Sequence, residues 1–213
     1  MKILRRLPVL APLLLMLATS ACSSLLNVQR TPFTIYSPRY TAAETTPAAP
    51  KVDWQLAIET PSASDTLDTA RMLAMPTPGV LEVFPTARWR DPAPTLLRSL
   101  IVEGFEKSAR IVGVGSSASG LRADYALAIE LRDFQLEMRD GTPHAAVRFQ
   151  AHLLDYTSSR VLATQSFAQD ASAGGVDAAS AFAAFQNSLN AVIPQLVEWT
   201  LREGSDARAK TRR

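Results

Sequence analysis

Cys22 is the residue whose type and position best fit a specific chemistry. It is the only cysteine among the 213 residues. Ahead of it stand a positively charged start and an apolar run, Leu7 to Ala18, of about 12 residues, which is too short to cross a bilayer as a helix. The small residues Thr19, Ser20 and Ala21 immediately precede the cysteine. This pattern predicts a secretory signal peptide that is cleaved at the thiol.

Small residues followed by cysteine resemble the bacterial lipobox, in which the sulfur receives a diacylglycerol and the new amino group an acyl chain. The first lipobox position is usually leucine and here is Thr19. An exported chain with a single cysteine cannot form its own disulfide, and an exposed thiol is reactive in an oxidising compartment. The alternative is an ordinary signal peptide that leaves a free or buried thiol. We predict that residues 1–21 are removed and that Cys22 carries N-acyl (palmitate-type) and S-diacylglycerol lipid.

Lipidation of Cys22 would fix the chain to a membrane. Each buried methylene group contributes about 0.8 kcal/mol, and two or more acyl chains give stable anchoring. The next residue is Ser23, not aspartate, which resembles lipoproteins sorted to the outer membrane. The expected location is therefore the periplasmic face of the outer membrane.

The other reactive residue types do not form a catalytic pattern. His144 and His152 share a face of one predicted strand, but eight residues at ~3.3 Å each place them roughly 26 Å apart. Residues 113–116 contain neither a G-x-S-x-G elbow nor a phosphate-binding loop. Acidic pairs such as Asp65 and Asp68 have no histidine or metal-ligand neighbour in the sequence. We predict that the protein is not an enzyme and holds no metal or cofactor.

The charge balance argues against a nucleic-acid partner. The formal net charge is +2, with 22 basic and 20 acidic residues, and three of the basic residues lie in the predicted signal peptide. The mature chain is thus nearly neutral, and no basic stripe alternates with aromatic residues. No other stretch approaches 18 consecutive apolar residues, so no second membrane segment is predicted.

Residues 22–51 are rich in threonine, proline and alanine, which predicts an extended spacer between the membrane and the domain. Within this spacer, residues 33–36 could dock as a short edge strand. A domain is predicted over residues 52–204, followed by a basic disordered tail over residues 205–213.

Alternating apolar residues predict the strands of this domain. They fall at residues 54–58, 71–75, 80–84 (ended by Pro85), 111–115, 125–138, 147–153 and 161–167. The last three read as an antiparallel meander, with a bulge at residues 132–133, where the alternation changes phase, and a hairpin turn at Asp140-Gly141.

Two helices are predicted. Asp91 caps the first, before a stripe of Leu97, Leu100, Ile101, Gly104 and Phe105, and Asp177 begins the second, which ends at Gly204. The pattern is typical of an α+β fold with a mainly antiparallel sheet and two helices packed on one face.

Several segments occur together in the order found in one family. They are residues 67–72 (LDTARM), 88–92 (RWRDP), 97–101 and 105–108 (FEKS), within a likeness that covers about residues 52–202. The chain resembles the ABC-type transport auxiliary lipoproteins, the PqiC-like partners of MCE lipid-transport systems. The resemblance implies an MCE-domain protein and an ABC permease and ATPase as partners, and a possible homo-oligomer.

Four residues near the strand-to-helix junction are candidates for a partner-binding or lipid-facing surface: Arg71, Phe84, Arg88 and Trp89. The alternative for Trp89 is a structural role at the end of the helix, and for Arg71 an ion pair with an acid. Alternative functions are a lipid-binding carrier lipoprotein and an outer-membrane barrel assembly lipoprotein.

Overall fold

The computed structural model describes residues 32–41 and 51–211. The predicted signal peptide and Cys22 lie outside the described residues. The elements within them, in chain order, are β1 (Thr34–Tyr36), β2 (Val52–Ile58), β3 (Arg71–Thr77), β4 (Val80–Trp89), α1 (Ala93–Ser108), β5 (Ile111–Ser116), β6 (Tyr125–Arg139), β7 (Thr142–Asp155), β8 (Val161–Ser172) and α2 (Ala178–Thr211). The predicted α+β class is confirmed.

The sheet is organised around β6. Along one edge β6 pairs with β7 over its full length, and β7 pairs with β8; these antiparallel pairings are the longest in the sheet, as predicted. Along its other edge β6 pairs in parallel first with β2 and then with β3. Each of these carries its own neighbours, β5 beside β2, and β4 and β1 beside β3. Two small groups of strands are thus joined through one long strand.

The bulge and the hairpin turn of the meander lie where the sequence predicts them. The register between β6 and β7 shifts between Leu131 and Asp133. The extra residue keeps both Leu131 and Phe134 buried although they are three residues apart, because it reverses the alternation. Asp140 and Gly141 both have positive φ, 50° and 75°, as a two-residue hairpin loop with the twist of its strands requires.

Both helices cover one face of the sheet. The predicted apolar stripe of α1 is buried, as are Phe185, Leu189, Ile193 and Leu196 of α2. A Cβ atom on Gly104 would lie 2.4 Å from Ile193 Cγ2, so glycine permits the close contact of the two helices. Gly104 therefore belongs to the packing of the core.

The two helix starts differ in their capping. Asp177 caps α2 as predicted, since its Oδ1 accepts from the backbone N–H groups of Ala179 and Ser180, both at 3.0 Å. The prediction for Asp91 was wrong. Pro92 occupies the cap position of α1 without a side-chain hydrogen bond, and Asp91 pairs with Arg90 at 2.9 Å instead.

Gly204 does not end α2, and residues 205–211 are not a disordered tail. The helix continues to Thr211, and residues 212–213 lie outside the described part. A Cβ on Gly204 would lie 2.5 Å from Cζ2 of Trp54, so this glycine makes room for an indole ring. Nη1 of Arg208 then donates to Oδ1 of Asp124 at 2.8 Å, which holds the last turns against the domain.

Pro85 does not end β4, which continues to Trp89. Leu73 is opposite Val83 and Arg71 is opposite Arg88, so the register between β3 and β4 shifts around the proline. Proline is tolerated in such a stretch because no N–H is needed there for the ladder.

Residues 33–41 are part of the fold and not of a free spacer. β1 pairs in parallel with β4, which confirms the predicted edge strand. The ring of Tyr36 lies 5.0 Å from that of Phe182, and Tyr40 is buried. The backbone N–H groups of Arg39 and Thr41 donate to side chains of α2. The predicted spacer over residues 22–51 was therefore wrong for this segment.

Candidate partner-binding surface

The structure separates the four predicted surface residues. Arg71 and Arg88 are directly opposite each other on β3 and β4. Trp89 follows Arg88 on the same strand, and successive side chains of a strand point to opposite faces. Phe84 lies nearer to the turn of the β3–β4 hairpin. The four residues therefore do not form one surface.

Trp89 is a core residue. It is 2% exposed, and its ring centroid lies 5.5 Å from that of Phe134 and 5.1 Å from that of Phe185, both in edge-to-face geometry. A side chain so enclosed cannot contact a partner, so its assignment to a surface was wrong. Trp89 has a structural role, but its aromatic neighbours belong to the sheet and to α2, whereas the alternative had placed it at the end of the first helix.

Arg71 and Arg88 lie at the end of the hairpin remote from the turn. The guanidinium of Arg88 lies 4.9 Å from the ring centroid of Phe33, at cation–π distance. Arg71 is exposed and forms no ion pair with an acid among the described residues, so the predicted pairing was wrong there. Like charges placed opposite each other are unfavourable, which makes this end of the hairpin suited to an acidic group.

Phe84 lines an apolar cavity of about 230 Å³ between the hairpin and β6. Ala74, Pro76, Glu82, Val83, Pro85, Leu136, Met138 and Val176 form the rest of its lining. Val83 and Val176 are 44% and 66% exposed, and Val80 and Leu81 of the same hairpin are also exposed. We call Val80, Leu81, Val83, Phe84 and Val176 the hairpin patch; its strand residues lie on both faces of the hairpin, and Val83, Phe84 and Val176 line the cavity.

The sequence contains a signal for this patch, although none of its residues is of a reactive type. Valine, leucine and phenylalanine occupy both even and odd positions of residues 80–84, and only alternate positions of a strand can face the core. At least one apolar residue of this segment therefore had to be exposed to solvent or covered by a partner.

The cavity is too small for a diacyl lipid. Pockets that enclose drug-sized ligands measure about 300–1,000 Å³. At about 230 Å³ the space beside Phe84 can take one or two protruding side chains. The geometry favours a docking surface over a carrier pocket.

Among the described residues, Arg148 is the centre of an ion-pair network that joins three strands. Its guanidinium lies 2.6 Å from Oε1 of Glu137, 2.7 Å from Oδ1 of Asp170 and 3.3 Å from Oδ2 of Asp133. Arg139 pairs with Glu137 and Asp170 as well. Hydrogen bonds from Arg148 hold the pKa of Glu137 below its ordinary value. These ion pairs connect β6, β7 and β8.

The two histidines do not add a reactive site. Nδ1 of His144 lies 3.4 Å from the hydroxyl of Ser172, and Nδ1 of His152 lies 2.8 Å from that of Thr164. Over residues 32–41 and 51–211, no group of three or more histidine, cysteine and acidic residues is arranged to hold a metal ion. In the same ranges, no helix is long and apolar enough to span a membrane.

Replacing Glu137 with glutamine is expected to lower the free energy of unfolding at pH 7 by about 1–3 kcal/mol, because charge-assisted hydrogen bonds are lost. A lowered folded pKa stabilises the protein above the ordinary value of 4.5, and that contribution disappears as the pH falls through the folded value. Urea unfolding of wild type and E137Q should therefore differ at pH 7 and converge near the acid limit. E130Q, on the same strand but exposed, is the control. An equal difference at every pH would contradict this role.

Residues 37–197 match the family described as ABC-type transport auxiliary lipoprotein component. The chain belongs to this family of auxiliary lipoproteins. The resemblance noted from the sequence is thereby confirmed, and the match begins inside the docked segment that precedes β2.

The auxiliary lipoprotein is similar in sequence to two proteins from other bacteria. It is 36% identical to protein XCC0632 from Xanthomonas campestris. The structural alignment with the crystal structure of that protein covers 83% of this chain and 99% of the other, with a TM-score of 0.78. The auxiliary lipoprotein is 30% identical over 156 residues to the uncharacterized protein bll6063 of Bradyrhizobium diazoefficiens, across 73% of this chain but only 41% of that protein. A further solved structure of an uncharacterized protein, 13% identical with a TM-score of 0.57, shares the fold alone.

The family match ends at residue 197, before the last turns of α2. Gly204 and Arg208, which hold these turns to the domain of this auxiliary lipoprotein, lie beyond it. The C-terminal extension of α2 is a feature of this chain that the family match does not cover.

Proposed function

We propose that this auxiliary lipoprotein is held by acyl chains on Cys22 at the periplasmic face of the outer membrane, where it serves an MCE-type ABC system that moves lipids between the two membranes. Its partners would be an MCE-domain protein and, through that protein, the permease and ATPase. Membership of the auxiliary lipoprotein family is the observation that carries the proposal.

The hairpin patch supports a docking role. It combines exposed valine side chains with a small apolar cavity, and clustered apolar exposure of this kind is typical of interaction sites. The cavity can accept a side chain from the partner, which is how interface anchors are usually seated. The residues at the other end of the hairpin, Arg71 and Arg88, would meet an acidic part of the same partner.

Val83→Asp is expected to reduce recovery of the MCE-domain protein about tenfold or more, because it places a charge in an apolar contact. The measurement is affinity purification from cells after mild cross-linking, quantified by mass spectrometry. Val112→Asp is the matched control. Val112 is also an exposed valine (58%), and it lies on β5, which is separated from the hairpin strands by β6 and β2 in the strand order. Both variants should unfold at the temperature of the wild type.

The result also tests the proposed function itself. If the wild-type protein brings down no MCE-domain protein, the MCE role is wrong, and recovery of an outer-membrane barrel protein would favour the assembly alternative. If both variants recover the partner equally well, the MCE role stands and the hairpin patch is not the docking site. Sedimentation of the purified protein measures whether it forms the homo-oligomer that the family resemblance implies.

A further inference from the structure

A second concavity lies between the first residues of β2 and the last turns of α2. It has a volume of about 500 Å³, larger than the cavity beside Phe84. Four basic residues, Lys51, Arg110, Arg202 and Arg208, line this groove. Trp54 lies among them, and Val52 and Leu201 contribute apolar surface. The groove therefore combines an apolar floor with a basic rim.

Nε of Arg208, which lies 3.4 Å from Oδ1 of Asp53, has no hydrogen-bond acceptor among the described residues, and two further N–H groups of residues that line the groove have neither an acceptor nor an ion pair there. The first is Nε1 of Trp54, whose side chain is 1% exposed. The second is Nε of Arg110, whose Nη1 is occupied by an ion pair with Glu198. More than about 90% of buried polar groups in proteins have a hydrogen-bond partner. A water molecule or a ligand in the groove would supply the missing acceptors.

The charges of the groove define which acceptors fit. Only two acidic residues, Asp53 and Glu198, line it against the four basic ones. Nε of Arg208 lies 3.4 Å from Oδ1 of Asp53, and Arg202 pairs with Glu203, which does not line the groove. Lys51 has no ion pair among the described residues. Arg208 also pairs with Asp124 at 2.8 Å, so the charge that favours an anionic ligand is the ammonium group of Lys51.

We propose that this groove binds a phosphate group. The tetrahedral oxygens of phosphate accept hydrogen bonds from several directions, which suits the Trp54 and Arg110 N–H groups, and Lys51 adds a point charge. The apolar floor can hold the carbon atoms of a phosphate ester. The source is either a phospholipid head group or free phosphate. The proposal goes beyond the docking role, because a protein adaptor needs no bound ligand.

The test is calorimetric titration of the full-length protein in neutral detergent with two probes, inorganic phosphate and dihexanoyl phosphatidylglycerol. Saturable binding of at least one probe is expected. Trp54→Phe and Arg110→Gln should each weaken that binding about tenfold, since each removes one charge-assisted hydrogen bond. The matched control is Arg98→Gln, because Arg98 contacts Thr60 beyond the other end of β2.

Each outcome decides the matter. Tighter binding of the lipid identifies a head-group site, and binding of phosphate alone identifies a site for the free ion. Absence of binding, or binding that R110Q leaves unchanged, overturns the proposal and assigns the unpaired N–H groups to water. Thermal unfolding shows which variants are folded. If W54F is not, Lys51→Gln takes its place, and unchanged recovery of the MCE-domain protein by R110Q separates this site from the docking role.

Discussion

Trp89→Ala is expected to lower the free energy of unfolding by about 3–5 kcal/mol, the range for truncation of a large buried aromatic residue. The indole is 2% exposed and contacts aromatic rings of both layers, Phe134 on β6 and Phe185 on α2. Its removal leaves a cavity at the point where the sheet meets the helix, and the close-packed surroundings can fill it only in part.

Chemical denaturation followed by far-UV circular dichroism measures the effect. Trp89→Phe should cost less, because it keeps most of the apolar volume and the lost Nε1 has no acceptor among the described residues. Phe33→Ala serves as the control, since that aromatic side chain is 50% exposed. A loss below about 1 kcal/mol for W89A would mean that Trp89 does not belong to the core.

Cys22→Ser is expected to move the protein almost completely from the membrane fraction to the soluble periplasmic fraction. Serine cannot form the thioether to diacylglycerol, and without acyl chains the contribution of about 0.8 kcal/mol per buried methylene group is lost. Fractionation with a carbonate wash, followed by intact mass measurement of the extracted wild-type protein, gives the distribution and the attached mass.

Ser23→Asp is the matched variant for this experiment. It leaves the thiol in place, so the protein should stay attached to membrane, but its share in the outer membrane should fall in favour of the inner membrane. A wild-type mass that corresponds to unmodified sulfur would contradict the lipidation of Cys22. Equal carbonate resistance of C22S would show that another part of the chain provides the attachment.

Local patterns of the sequence predicted the elements whose signals are local. The change of phase at residues 132–133 and the Asp140-Gly141 turn are properties of a few consecutive residues, and both appear where expected. The parallel pairings of β6 with β2 and β3 are different. These pairings join strands that are far apart in the chain. The alternation of apolar residues within a strand predicts which face is buried, but it does not predict which strand pairs with it.

Two predictions, for Gly204 and Trp89, were wrong because each residue type occurs in more than one structural setting. Glycine commonly ends a helix, but Gly204 lies inside α2 because a ring packs where its side chain would be. A tryptophan beside arginines resembled a binding surface, although alternation on a strand places Trp89 and Arg88 on opposite faces. The hairpin patch was only partly identified, through Phe84, because its other members depend on which strands β3 and β4 join.

The docking of residues 33–41 against β4 and α2 limits how far the domain could lie from Cys22, the proposed attachment point. A fully extended spacer from Cys22 to residue 51 would span about 100 Å. Because the described fold begins near Phe33, only 11 positions along the chain separate Cys22 from it, and a fully extended chain of that length spans at most about 40 Å. If Cys22 carries acyl chains as proposed, the domain would work close to the leaflet that holds it, and a partner would have to cross the rest of the distance between the two membranes.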